Sequence, residues 1–302
     1  MGFGRVTKMG FIKITSAFKH ALDEGRQAAE KAADTDSARR LRFDYFWTRW
    51  LRLVTLPGYN KARRVNLCGM HMSYRFNRGD LQSLREVFME EVYSCDLPFA
   101  PRTLLDLGAN IGLASLWFSQ QAKASQTSEL FLLAVEPDSR NASVVEINFR
   151  DNLVSGEVVR AAVGQRSGEA WFEARAESNL GRVSSEAFKG TKTRVPVIGI
   201  RDLLDRFPEG RVDLVKMDIE GGEEVLLSQD TDWLARVKAL IVEWHDDRAD
   251  SRPLIRNVEA AGFVHRRINE GRQDNLSLFY RHAASLVQGP SGAIPLKPTP
   301  CS

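Results

Sequence analysis

From about Arg102 onward, short apolar runs alternate with stretches in which apolar residues recur every three to four positions. Runs of the first kind read as buried strands and stretches of the second as amphipathic helices. This pattern predicts strands at Thr103 to Leu107, Leu130 to Val135, Glu157 to Val163, Val212 to Met217 and Ala239 to Trp244, with Phe263 to Arg267 and Leu276 to Tyr280 completing the sheet. Helices are expected from about Leu113, over Ser139 to Arg150, and after the later strands. Repeated strand, helix, strand units with right-handed crossovers imply an α/β, Rossmann-like, doubly wound and mostly parallel sheet covered by helices on both faces.

Outside this rhythm the pattern changes. Residues 15 to 55 carry Phe43, Phe46, Trp47, Trp50, Leu51 and Val54 at helical spacing among arginines and stop at Pro57-Gly58, so a helical N-terminal extension is expected. Short strands follow from Arg64 to Phe76, then a helix over Asp80 to Tyr93. Between Gly168 and Val197 the chain is rich in Gly, Ser and Asn, which predicts hairpins or loops over the carboxyl edge of the sheet. Asn179, Gly181, Ser184 and Ser185 are candidates there for an acceptor pocket or for simple turns. The expected division is an extension over 1–98, a catalytic domain over 99–284 and a tail over 285–302 too rich in proline and glycine to pack.

Composition narrows the class. A 302-residue chain with 43% hydrophobic residues can bury a full core. No apolar run reaches the roughly 18 to 20 residues of a membrane span. Three widely spaced cysteines, Cys68, Cys95 and Cys301, suggest neither a disulfide framework nor a zinc site, so the cytoplasm is the default compartment. Residues 1 to 64 hold fourteen Lys/Arg against six Asp/Glu, although the whole chain carries only +3. That basic extension suits an acidic partner, a homodimer contact or solvent.

The candidate chemistry gathers at strand ends. Leu104-Leu105-Asp106-Leu107-Gly108-Ala109-Asn110-Ile111-Gly112 runs an apolar strand into a glycine turn before a helix. Its D-x-G-x-x-x-G spacing departs from the G-x-G-x-x-G of nicotinamide dinucleotide sites. S-adenosylmethionine has an ammonium and a carboxylate in place of a pyrophosphate. Asp106 is therefore expected to meet the ammonium, and the amides of Gly108, Ala109, Asn110 and Gly112 the carboxylate. Glu136, 28 positions beyond Gly108 at the next strand's tip, is expected to accept the ribose hydroxyls or, alternatively, to cap the following helix.

The run Val212-Asp213-Leu214-Val215-Lys216-Met217-Asp218-Ile219-Glu220-Gly221-Gly222-Glu223 ends a third strand in D-x-E-G. With the Asp106 loop, Glu136-Pro137-Asp138 and Ala239 to His245, it resembles the FkbM-type methyltransferase family over about residues 100 to 280. The resemblance implies the class I methyltransferase form of the fold and methyl transfer from S-adenosylmethionine, usually to a hydroxyl of a small metabolite or sugar unit. It does not reach the first 60 residues or the tail.

Read from the residues alone, Asp218 and Glu220 lie two apart and share a side if the strand continues that far. Asp218 would hold the cofactor or the acceptor. His245, at the end of the neighbouring strand beside Glu243, is the first-choice base because an ordinary imidazole titrates near 6.5; Asp218 is the second, with Glu220 beside it. The same three residues form an oxygen and imidazole donor set, but the expectation is a site without metal. Two rival readings remain: a nucleic-acid methyltransferase gripping its substrate with the basic extension, disfavoured because no D/N-P-P-Y tetrapeptide follows the strand, and a non-catalytic cofactor-binding scaffold.

Overall fold

A computed structural model describes residues 19–48, 58–124, 130–173, 182–184, 192–269, 275–281 and 294–296. The chain divides into two compact units, one built on the residues up to Met89 and one spanning Glu90–Thr299. The division falls ahead of the boundary at 98 read from the prolines. Trp50, Leu51, Val54, Asn179, Gly181 and Ser185 lie outside the described residues.

In the first unit, helix α1 (19–30) is followed by α2 (Thr35–Thr48), so the stretch expected as one helix is broken at 31–34. Strands β1 (Ala62–Leu67) and β2 (Met70–Arg75) form a hairpin closed by Cys68 and Gly69, both at positive φ, as a two-residue turn requires. Buried Asp44 accepts a 2.7 Å bond from the Tyr74 hydroxyl, which ties α2 to β2. Helix α3 (Arg78–Leu84) is capped by Asn77, whose side chain accepts from the Asp80 amide. Cys68 is disulfide-bonded, which the cysteine spacing did not lead us to expect, whereas Cys95 is a free thiol.

The second unit opens with β3 (Cys95–Leu97) and is dominated by a seven-stranded sheet. Its strands are β4 (Thr103–Leu107), β5 (Phe131–Val135), β6 (Gly156–Val159), β11 (Val212–Met217), β12 (Val237–Glu243), β13 (Val264–Arg267) and β14 (Leu276–Tyr280). Their order is β13-β14-β12-β11-β4-β5-β6, parallel from β12 to β6, with β14 antiparallel to both neighbours. The helices between its strands include α4 (Leu113–Ala124), α5 (Ser139–Asp151), the short α6 (Ile200–Leu204) and, later, α8 (Ser251–Ala260). Both faces of the central strands are covered, which is why β4 and β11 read as near-continuous apolar runs. Leu105, Leu107, Val215, Met217, Leu240 and Phe279 sit in one core with Trp233. Strand order reverses between β4 and β11, and such a reversal opens a crevice at the carboxyl ends.

The stretch expected as hairpins or loops takes part in a second sheet. Residues Glu157 to Val163 do not form one strand: β6 ends at Val159, and β7 (Ala162–Gly164) joins β8 (Gly168–Glu173), β9 (Arg182–Ser184) and β10 (Lys192–Gly199) in the order β7-β10-β8-β9, with β8 antiparallel to both of its neighbours. Phe172, Ala162 and Val195 form its own small core. Ser184 belongs to β9. Within the proline-rich stretch from 285, β15 (Ile294–Leu296) pairs antiparallel with β3. Among the described residues no helix is long and apolar enough to cross a membrane.

Candidate active site

A cavity of about 380 Å³ opens at the β4/β11 reversal, with the second sheet as its far wall. Gly108 and Asn110 line it from the loop after β4, Glu136 and Pro137 from the end of β5, and Asp218, Ile219 and Glu220 from the turn after β11. Ala162, Val163, Ala170 and Phe172 supply an apolar side, and Arg248 closes the end near Glu220. Asp106, Ala109, Gly112 and His245 do not line it.

Asp106 is the main departure from expectation. It is fully buried, its Oδ2 accepts a 2.6 Å bond from the Ser115 hydroxyl, and its Oδ1 lies 3.1 Å from the Lys216 ammonium. The carboxylate expected to meet a cofactor is instead consumed inside the sheet. Lys216, itself buried, also donates to the Gly108 carbonyl at 2.7 Å and stands 3.7 Å from Asp218. Burial alone would lower its pKa, but Asp106 and then Asp218 outweigh that and raise it.

The loop amides are also differently used. Those of Gly108 and Ala109 both donate to the Val135 carbonyl, that of Gly112 to Ala109, and that of Asn110 to Glu136 Oε2 at 2.8 Å. They hold the loop to the tip of β5 and are not aimed at a ligand carboxylate. Gly108 has φ +75°, and a Cβ there would fall 1.8 Å from the Asp218 carbonyl oxygen, so only glycine lets these two strand ends touch. Gly112, at φ +81°, packs against Val145 and Phe149 of α5.

Glu136 stands where it was expected, in the cavity wall. It does not cap α5; Asp138 does, accepting from the Arg140 amide at 2.8 Å. Burial pushes the Glu136 carboxyl up to about 8, against the bonds it accepts from the amides of Asp138 and Asn110.

β11 stops at Met217, so Asp218 and Glu220 are not brought together by a continuing strand. A turn does it, with Glu220 at φ 55° and Gly221 at φ 95°. Neither residue caps the next helix, α7 (Glu223–Leu227), whose first flanking residue is Gly222. Both carboxylates reach His245 Nε2, at 3.7 Å each. Its other nitrogen, Nδ1, lies 3.1 Å from Glu223 Oε1. Burial would lower the imidazole, but the Glu223 hydrogen bond and the charges of Asp218, Glu223 and Glu220 push it up to about 9. An imidazole held as a cation at neutral pH is not the base expected there. Burial, followed by the Asp218 charge, pushes Glu220 up to about 7 despite Arg248 at 2.7 Å. Glu243, the last residue of β12, stands at that edge, acts electrostatically on Lys216 and accepts from Asn275.

The ligand atoms of Asp218, Glu220 and His245 lie within 4.8 Å of one another. His245 and Arg248 already supply positive charge to that space, and we assign it no metal. The sequence motifs assign no role to Lys216, Glu223 or Arg248. A lysine between Val215 and Met217 in a buried strand was the available signal, because such a charge needs carboxylate partners.

The methyltransferase FkbM domain matches residues 106–265 of the chain. The antimetabolite synthetase AmbE of Pseudomonas aeruginosa is similar at 24% identity over 235 residues; these are 66% of this chain but only 10% of that protein, so the chain spans about a tenth of that relative's length. Among solved structures, a human methyltransferase 10 domain containing protein is similar at 13% identity and TM-score 0.42, covering 70% of this chain and 88% of that one. An O-methyltransferase from Bacillus cereus in complex with SAH is similar at 10% identity and TM-score 0.35, covering 60% and 75%.

Proposed function

We propose, from the premise that the chain belongs to the methyltransferase FkbM domain family, that it transfers a methyl group from S-adenosylmethionine to a hydroxyl oxygen on a small metabolite or sugar unit. The observation that carries the reading is the cavity at the β4/β11 reversal, with one buried carboxylate at the tip of β5 and two more at the end of β11. The donor set fits the cofactor: Glu136 can accept from ribose hydroxyls, the apolar side formed by Ala162, Val163 and Phe172 suits an adenine, and Asp218 suits a cationic group. Bound S-adenosylmethionine supplies a methyl group on a positively charged sulfur.

The residues then divide the remaining work. Asp218 and Glu220 orient the acceptor hydroxyl, and Glu220, with its carboxyl near 7, takes the proton as the oxygen becomes methylated. His245 remains a cation and limits repulsion between the two carboxylates. Arg248 fixes the turn by donating to the Glu220 carbonyl at 2.6 Å. A small-molecule acceptor is in keeping with the similarity to an antimetabolite synthetase.

Calorimetric titration with S-adenosylmethionine, S-adenosylhomocysteine and NAD tests the reading. Saturable binding of the first two and not the third is expected, weakened about tenfold in Glu136→Gln, the equivalent of about one hydrogen bond. A folded protein that binds neither would overturn it.

A further inference from the structure

Glu223 is the first residue of α7 and is buried, with 3% of its side chain exposed. One oxygen, Oε1, takes two bonds of 3.1 Å: from the Ile219 amide in the turn after β11 and from Nδ1 of His245 beyond β12. It therefore joins the two strand ends that carry the chemistry. An ionised carboxylate only accepts, so the His245 nitrogen facing it must carry the hydrogen. The orientation of the ring is then fixed, and Nε2, which in the charged ring also carries a hydrogen, is the nitrogen presented to Asp218 and Glu220. The His245 carbonyl is held in turn by the amides of Arg248 and Ala249, so the ring hangs from an anchored backbone.

We propose that Glu223 is a positioning residue for methyl transfer: by accepting from Nδ1–H it turns the His245 ring so that Nε2 lies between the two carboxylates. The inference rests on the methyl-transfer reading above. The charged groups facing His245 are Asp218 and Glu220 from the turn and Glu223 from α7, with Arg248 acting on it through Glu220. With Glu223 neutralised, two carboxylates remain opposite Nε2 but nothing opposite Nδ1 favours the cation. The ring would then lose its proton at lower pH, and an uncharged imidazole would leave Asp218 and Glu220 facing each other without a counter-charge.

The test needs no acceptor. The chain has five histidines, and His245 is assigned by the resonance missing from His245→Gln. Its titration is followed by NMR in the full chain and in Glu223→Gln, whose amide oxygen can still receive both N–H groups. His265 is the internal reference: it donates to or accepts from Ser277, stacks on Phe279, and is lowered by its own burial. The expected result is a fall of at least about one unit for His245, a tenfold loss of proton affinity, with His265 unmoved. Glu223→Asp, which keeps the charge, should restore part of the difference. An unchanged His245 titration in folded Glu223→Gln would overturn the proposal. If that variant does not fold, the nitrogen shifts of the unsubstituted protein decide: neutral His245 carrying its hydrogen on Nε2 would also overturn it. Cofactor binding, measured separately, tests the methyl-transfer reading, so the two can fail independently.

Discussion

Asp106 and Asp218 stand at the ends of adjacent parallel strands, β4 and β11, and both face the ammonium of Lys216, at 3.1 Å and 3.7 Å. Asp106 is paired in register with Lys216 inside the sheet and is wholly buried, while Asp218 lies one step past the last strand residue with 28% of its side chain exposed. That single step separates a structural carboxylate from one in the cavity wall. A buried charge next to a buried counter-charge is strongly held by the fold. One at the rim keeps freedom to meet a ligand, and the same lysine biases both.

The largest effect expected from breaking this comparison is that of Asp106→Ala. Removing one member of a buried ion pair leaves Lys216 with only the more distant, partly exposed Asp218, so a loss of roughly 3–5 kcal/mol in unfolding free energy is expected, read from urea denaturation. Loss of cofactor binding would follow from the collapse of the loop that Lys216 secures through Gly108. Asp218→Asn should act oppositely. Its stability cost should stay below about 1 kcal/mol, since the group is partly exposed and not within hydrogen-bonding distance of Lys216, while turnover falls by about 10²-fold or more. Equal destabilisation by the two substitutions would remove the distinction drawn here.

The pH dependence sharpens the comparison at the cavity side. Glu136 rises to about 8 and His245 to about 9, both above their unfolded values of 4.5 and 6.5. The folded protein therefore binds more protons than the unfolded chain between 4.5 and 8 for the first and between 6.5 and 9 for the second. The His245 contribution is fully present below 6.5 and lost as pH rises through about 9. Keeping Glu136 protonated carries no penalty at low pH, but above 4.5 the unfolded chain gives up this proton while the fold retains it, so stability falls progressively up to about 8. Both groups make stability fall with rising pH, each by up to about 1.4 kcal/mol per pH unit. Thermal unfolding without cofactor should show Tm dropping from pH 6.5 to 9, with a shallower drop in Glu136→Gln. A flat profile would mean that neither group holds its proton.

Much of this arrangement is legible in the sequence because periodicity reports burial. Thr103–Leu107, Val212–Met217 and Leu276–Tyr280 are strands over the same residues read from their apolar runs, and Glu136, Asp218, Glu220, Gly108 and Asn110 do meet at one cavity. What periodicity does not report is which side of a strand end faces the crevice, so it does not separate the buried Asp106 from a carboxylate in the cavity wall. Nor does it report long-range pairing. The second sheet depends on β10 lying between β7 and β8, a contact that a Gly- and Ser-rich stretch does not announce. The pKa of His245 is raised by Glu223, twenty-two positions earlier, and by Asp218 and Glu220, which a turn with positive φ at Glu220 and Gly221 brings together.

The smallest effect in the series concerns how firmly Asp106 is sealed. Ser115, near the start of α4, is buried and donates to Asp106 Oδ2, so Ser115→Ala leaves that oxygen without its donor while Lys216 still neutralises the charge. Bonds to charged groups contribute roughly 1.5–3 kcal/mol, and the remaining ion pair places the expected loss near the lower end, about 1.5 kcal/mol. Because the serine does not line the cavity, cofactor affinity should stay within about threefold. Denaturation and calorimetry on this one variant therefore separate the two sides of Lys216: stability lost with binding retained is the signature of a carboxylate serving the fold, whereas a binding loss exceeding the stability loss would return Asp106 to the cofactor.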